Sequence, residues 1–184
     1  MYSIVLNKAA NIQNDGGNTE LTAQNDINIT TLTTSNHISA VADDNNYFKY
    51  SQTQDVGSTI TSAGNTIIKT TGDTANITMK GLNLQSRGIT AVMATGDVSI
   101  TEGRATQSVQ STSQFTNRRL TGSKTEQSSF GQYSDKSLIS QVGGNEVVIQ
   151  GVNTSLISTE VLADKDILIK ADNQLCLSAL LKIA

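Results

Sequence analysis

The chain has 184 residues and a formal net charge of −3, enough for one domain with a sizeable core and too weakly charged to suggest a nucleic-acid partner. It contains no proline, no tryptophan, 14 glycines and one cysteine, so no internal disulfide can form. Its many Thr, Ser and Asn residues, with Ile, Leu and Val as the main aliphatics, are typical of strands and turns.

The amino terminus, "MYSIVLNKAANIQ", does not have the pattern of a signal peptide. Its apolar run is short, and no small-residue cleavage site follows it. No later stretch approaches the roughly 20 apolar residues that a membrane-spanning helix requires. The sequence therefore predicts no membrane-spanning helix.

A short phrase recurs along the chain as "LTAQNDINI", "VMATGDVSI" and "VLADKDILI", around Asp26, Asp97 and Asp166. A weaker copy surrounds Asp73, 24 residues before Asp97. Aliphatics alternate with other residues after each of the three aspartates, a period-two pattern that predicts short strands with one buried side. The side chains predicted to face inward are Ile27 and Ile29, Val98 and Ile100, and Ile167 and Ile169.

Repeats of about twenty residues with short strands predict a solenoid, since one coil cannot bury its own apolar side. Three short strands with their turns use this length, which predicts an all-β, right-handed parallel β-helix forming a single domain over residues 1–184. The absence of proline agrees with this fold, because a proline inside a strand would remove a hydrogen bond to the neighbouring strand. We expect the aspartates to bond to their own downstream amides, and Asn18, Asn65 and Asn145 to stack in ladders.

Two excursions interrupt the repeats, at about residues 36–55 and 104–136, and contain every aromatic residue except Tyr2. We expect them to leave the coil as hairpins, and we expect any contact surface to lie there, because aromatic and arginine side chains often dominate contact sites. In the alternative interpretation, the polar residues keep a long hairpin soluble and the aromatics only hold it in place. The candidate contact residues are Tyr47, Phe48, Tyr50, Phe115, Arg118, Arg119, Phe130 and Tyr133.

Residues typical of catalytic or metal sites are few. His37 is the single histidine and has no second histidine or nearby cysteine to complete a metal set. Cys176 alternates with leucines in "NQLCLSALL", which predicts a small hydrophobe in a terminal strand. Asp43 and Asp44 are adjacent and would point in opposite directions in an extended chain. We therefore predict no catalytic, cofactor-binding or metal-binding residues, and no enzyme.

The phrases "AGNTIIK", "TGDVSIT", "GGNEVVIQ" and "DKDILIK", separated by long Ser/Thr/Gln-rich insertions, resemble the repeats of filamentous haemagglutinin-like exoproteins. They are most similar to the second repeat class of contact-dependent growth-inhibition proteins. The resemblance implies that the chain is part of a longer parent protein that forms a β-helical filament. A Gram-negative bacterium would secrete this parent protein through an outer-membrane two-partner transporter. It further implies a cell-surface adhesin or toxin carrier that contacts a target-cell envelope or a host-cell surface receptor, with no catalytic set or cofactor.

A rival function follows from the same predicted fold. Parallel β-helices also form polysaccharide-binding and polysaccharide-degrading modules, whose sites use carboxylates and basic residues on one face. Asp43, Asp44, Arg118 and Arg119 could in principle meet on such a face. Whichever function holds, the open ends of a solenoid are unpaired edges, so we expect a tendency to end-to-end self-association.

Overall fold

A computed structural model describes residues 4–6 and 9–183, and these residues form strands and no helix. No helix in this described part of the chain is long and apolar enough to cross a membrane. The strands are β1 (Ile4–Leu6), β2 (Asn11–Asn14), β3 (Thr19–Ala23), β4 (Ile27–Ile29), β5 (Leu32–Asp43), β6 (Asn46–Val56), β7 (Thr59–Ser62), β8 (Thr66–Thr70), β9 (Ile77–Lys80), β10 (Asn83–Ser86), β11 (Ile89–Met93), β12 (Val98–Thr101), β13 (Gly103–Arg119), β14 (Gly122–Leu138) and β15 (Ser140–Ile183).

The sequence predicts one domain, and the described residues form two compact units. The first unit, here called the stack, comprises the described residues within Met1–Leu32, Asp55–Gly103 and Ser137–Ala184. The second unit comprises Thr33–Gln54 and Arg104–Lys136. Its two segments are the two excursions, which begin and end close to the predicted bounds of 36–55 and 104–136.

Parallel pairing organises the stack into three ladders. Ladder A joins β2, β7, β10 and the start of β15. Ladder B joins β3, β8, β11 and the next part of β15. Ladder C joins β1, β4, β9, β12 and a later part of β15. The chain thus passes through ladders A, B and C in a fixed order, and successive parts of β15 contribute to all three.

The registers align the alternating aliphatics into continuous buried rows, as the period-two pattern predicts. In ladder C, Ile29 is opposite Met79, Met79 is opposite Ile100, and Ile100 is opposite Leu156. All four are buried, as are Ile27 and Val98, so the inward orientation predicted for the first two copies is confirmed. The equivalent rows in the other ladders are Ile12, Ile60, Leu84 and Val142 in A, and Leu21, Ile68, Val92 and Ile149 in B.

The third copy, around Asp166, is less buried than the first two. Ile167 and Ile169 are half-buried and pack against the core. They follow the part of β15 that pairs with β12, so they lie at the end of the stack rather than within it. Together with Leu175, Leu177, Leu181 and Ile183 they line an apolar groove.

Two equivalent serines occur where the chain returns to the stack after each excursion. Ser58 accepts a hydrogen bond from the Ala10 amide at 3.2 Å, and Ser140 accepts one from the Leu82 amide at 3.1 Å. Ser140 also donates to the Thr101 carbonyl at 2.6 Å. Both serines are fully buried, so each ties the start of one strand of ladder A to the start of its neighbour through a side chain.

The second unit is a four-stranded sheet in the order β14-β13-β6-β5, here called the hairpin sheet. Each excursion contributes two neighbouring strands with a two-residue connection. The excursions also pair with each other, because β13 and β6 are antiparallel from Ala105 opposite Gln54 to Thr112 opposite Tyr47. The sequence predicts the two hairpins but not their union in one sheet.

Candidate functional site

Most candidate contact residues of the hairpin sheet are exposed. Phe115 keeps 68% of its surface accessible, Tyr133 67% and Phe130 55%. Phe48 is also exposed, whereas Tyr47 and Tyr50 are half-buried. An aromatic ring that fixes a hairpin by packing would lose most of its exposed surface. The alternative interpretation therefore does not account for Phe115, Phe130 and Tyr133.

The aromatic side chains of β6 lie on both sides of the sheet. Phe48 is opposite Ser111 and Tyr50 is opposite Val109, so strand alternation places Phe48 and Tyr50 on one side and Tyr47 on the other. The Tyr50 hydroxyl donates to the Gln52 side chain at 2.6 Å. The Lys49 ammonium lies 5.1 Å from the centre of the Tyr47 ring, within the range of a cation–π contact.

Phe115 and Arg119 lie together near the tip of the second hairpin. Both line one shallow depression, with Lys124 and Glu126 on the facing strand. Lys124 and Glu126 form an ion pair at 2.5 Å. Arg118 is the adjacent residue in an extended strand, so alternation directs it to the opposite side. The depression thus offers one aromatic ring and one guanidinium to a ligand.

Asp43 and Arg118, two residues of the rival polysaccharide site, lie on different hairpins. Asp43 accepts hydrogen bonds from the Asn46 side chain at 3.0 Å and the Asn45 amide at 2.8 Å, which lower the pKa of its carboxyl group. Asn46 in turn accepts from the Gln114 amide at 2.8 Å. Arg118 lies four residues beyond Gln114, roughly 13 Å along an extended strand. Asp43 is therefore a turn anchor, and the arginines belong to a different hairpin tip.

The remaining reactive side chains do not form a catalytic or metal site among the described residues. His37 is exposed on β5, and Cys176 lies in the terminal strand as predicted, although it is exposed rather than buried. Arg104 and Asp135 form an ion pair at 2.7 Å on the hairpin sheet. The described residues contain no group of three or more His, Cys, Asp or Glu side chains that could hold a metal ion.

Asp26 and Asp97, two of the repeated aspartates, accept hydrogen bonds from the residues that precede the neighbouring paired segments of ladder C, which corrects the predicted bonding of these two side chains to their own downstream amides. Asp26 Oδ1 accepts from the Asn76 amide at 2.8 Å, and Asn76 Oδ1 accepts from the Asp97 amide at 2.7 Å. Asp97 Oδ1 accepts from the amide and side chain of Asn153, and the Asn173 side chain donates to Asn153 Oδ1 at 2.9 Å. One polar ladder therefore links five residues, the first four of which precede neighbouring paired segments of ladder C, because each backbone amide there needs an acceptor.

The predicted asparagine ladder is confirmed in part. Asn18 Oδ1 accepts from the Asn65 amide, and Asn65 Oδ1 accepts from the Ile89 amide, both at 2.8 Å. The Asn145 amide instead donates to the Gly88 carbonyl at 2.9 Å. A Cβ atom at Gly88 would lie 2.1 Å from Asn65 Oδ1, so a larger residue there would displace this oxygen from its bond to the Ile89 amide.

No protein-family model, curated protein or solved structure matches this chain. Two features of the molecule bear on its function. One is the stack, with its buried aliphatic rows and polar ladders. The other is the exposed aromatic and arginine side chains of the hairpin sheet.

Proposed function

We propose that the chain is a non-enzymatic structural and interaction segment of a secreted exoprotein, of the haemagglutinin-repeat type, on the surface of a Gram-negative bacterium. In this proposal the stack is a right-handed parallel β-helix that serves as a rigid scaffold. The fixed passage through ladders A, B and C supports the helix, and the usual hand of parallel crossovers supports its handedness.

The scaffold role is supported by how each coil is held. Aliphatic rows fill the interior, and hydrogen bonds from Asp26, Asn76 and Asp97 connect each coil to the next at one corner. A stack whose units contact mainly their neighbours can be long and still keep its cross-section. Such a scaffold suits a protein that presents a surface at a distance from the cell that makes it.

The exposure of Phe115, Phe130 and Tyr133 is the observation that carries the contact role. Exposed aromatic surface forgoes the roughly 25 cal/mol per Å² that burial would give, which a partner can recover on binding. Aromatic and arginine side chains are also the types that most often dominate contact energies. We infer that the hairpin sheet contacts a target-cell envelope or a host-cell receptor, for adhesion or for delivery of a toxin by the parent protein.

The experiment measures binding of the purified chain to intact Gram-negative and mammalian cells. A variant carrying Phe115→Ser, Phe130→Ser and Tyr133→Ser should bind at least about tenfold more weakly, since each lost hot spot costs about 1 kcal/mol or more. The matched control carries Thr116→Ser, Gln127→Ser and Gln132→Ser, which are exposed on the same two strands and should leave binding unchanged. Equal binding by the aromatic variant and the wild type would refute the contact role.

A further inference from the structure

The hairpin sheet has two edge strands that differ in charge. The strand order ends at β5 on one side and at β14 on the other. All 12 residues of β5 are exposed, and residues 32–42 contain no Asp, Glu, Lys or Arg. By contrast, β14 contains Lys124, Glu126, Asp135 and Lys136. One edge is therefore protected by charge and the other is not.

An edge strand presents backbone N–H and C=O groups to which another strand can add. Natural proteins prevent this with lysines, prolines, bulges or very short edge strands. The segment 34–42 of β5 lacks charged residues and proline, and strand β5 is long for an edge. It also contains Thr34, Ile38 and Val41, which are β-branched residues that favour strand pairing. The edge is thus suited to accept a partner strand.

We propose that residues 34–42 pair antiparallel with the same segment of a second copy of this chain, around a twofold axis. An antiparallel segment is complementary to itself, because each donor and acceptor meets its symmetry mate. Residues 34–42 contain no Asp, Glu, Lys or Arg, so no such side chains lie opposite each other, whichever residues pair. Two copies can therefore approach here despite a net charge of −3 on each. If two copies paired through β14 instead, its charged residues would lie opposite each other in many alignments of the two strands.

The pairing joins two four-stranded sheets into one continuous sheet. Ile38 and Val41, which keep 49% and 59% of their surface accessible, would gain cross-strand neighbours. The proposal does not rest on the proposed cell-contact function. It also differs from end-to-end association, which would use the apolar groove at the end of β15.

Amide hydrogen exchange on the full chain at low and high protein concentration tests the pairing, together with sedimentation velocity. Exchange in residues 34–42 should slow at least about tenfold at high concentration as a dimer forms. The variant Ile38→Lys with Ala40→Lys should remove this slowing, because lysines on an edge oppose strand addition. The matched variant Gln127→Lys with Ser129→Lys, on the other edge, should keep it.

Two outcomes would overturn the proposal. The first is exchange in residues 34–42 that does not change with concentration in the wild type. The second is a concentration dependence in this segment that survives in the β5 lysine variant. Dimers that form while exchange in residues 34–42 stays constant would place the interface elsewhere, with the groove at the end of β15 as the first surface to examine.

Discussion

The carboxylate of Asp97 accepts hydrogen bonds from both the backbone amide and the side-chain amide of Asn153, at 3.1 and 2.8 Å. The two residues are 56 positions apart, and each directly precedes a segment of ladder C, because Val98 pairs with Thr154. Asp97 therefore supplies an acceptor to the neighbouring segment rather than to its own turn. A change at this position tests how neighbouring segments of the ladder are joined.

Asp97→Asn should be mild and Asp97→Ala more damaging. Asparagine keeps the acceptor oxygen for the Asn153 amide, whereas alanine leaves that amide to water. We expect the alanine variant to lose about 1 kcal/mol of unfolding free energy, since the site is partly exposed. Urea denaturation measures both variants. Equal losses would mean that the charge of Asp97, and not its acceptor oxygen, stabilises the corner.

Ile100→Asp should unfold or aggregate the stack. Ile100 is fully buried between Met79 and Leu156, so the substitution places an unpaired carboxylate in an apolar interior. The expected loss is about 4 kcal/mol or more, a large part of the total for a domain. Ser99→Asp, on the outward side of the same strand, is the control and should melt near the wild type. A soluble, cooperative Ile100→Asp protein with an unchanged melting temperature would contradict the buried row.

Ser140→Ala should destabilise the chain more than Ser58→Ala. Both serines accept from a backbone amide, but Ser140 donates to the Thr101 carbonyl at 2.6 Å while Ser58 donates to the Thr30 carbonyl at 3.5 Å. Removing Ser140 leaves a buried amide and a carbonyl without this partner, at a cost of about 1–3 kcal/mol. Urea midpoints of the two variants give the comparison. The reverse order would show that the longer bond at Ser58 matters more than its geometry indicates.

The ion pair between Glu20 and Lys69 should make stability depend on pH. The Lys69 ammonium lies 2.7 Å from the Glu20 carboxylate and, with the Thr22 hydroxyl, lowers the pKa of Glu20 below its ordinary value of 4.5. A lowered folded-state pKa stabilises the fold above the unfolded pKa, and this stability is lost as pH falls through the folded value. Glu20→Gln should therefore flatten the decline in melting temperature below pH 4.5. Lys69→Met should flatten it to a smaller extent, because the Thr22 hydroxyl still lowers the pKa of Glu20; a wild-type slope in that variant would assign the effect to other groups.

Replacing residues 115–130 with a short Gly/Ser link should leave the melting of the stack nearly unchanged. These residues belong to the second unit, beyond the pairing of β13 with β6, which ends at Thr112. Circular dichroism melts compare the shortened chain with the wild type. A stack that fails to fold without this segment would assign the hairpin tip a packing role.

The period-two aliphatics and the two excursions could be predicted because they depend on local pattern. Ile29 and Ile100 are buried for the reason that the alternation indicates. The bonds from Asp26 to Asn76 and from Asp97 to Asn153 could not be predicted. An aspartate before a strand has the same local sequence pattern whether its carboxylate accepts from its own turn or from a neighbouring segment of the ladder. The pairing of Phe48 with Ser111 could not be predicted either. It joins two excursions that are far apart in the sequence, and their positions in space are not visible in a local sequence pattern.

The polar ladder also sets the distances along the chain that folding must close. The rung from Asn76 to Asp97 spans 21 residues and that from Asn153 to Asn173 spans 20, whereas the rungs from Asp26 and Asp97 across the excursions span 50 and 56. Each doubling of a closed loop costs about 0.6 kcal/mol of chain entropy. We therefore expect the short rungs to close first, so that folding begins independently on the two sides of the second excursion before the halves meet.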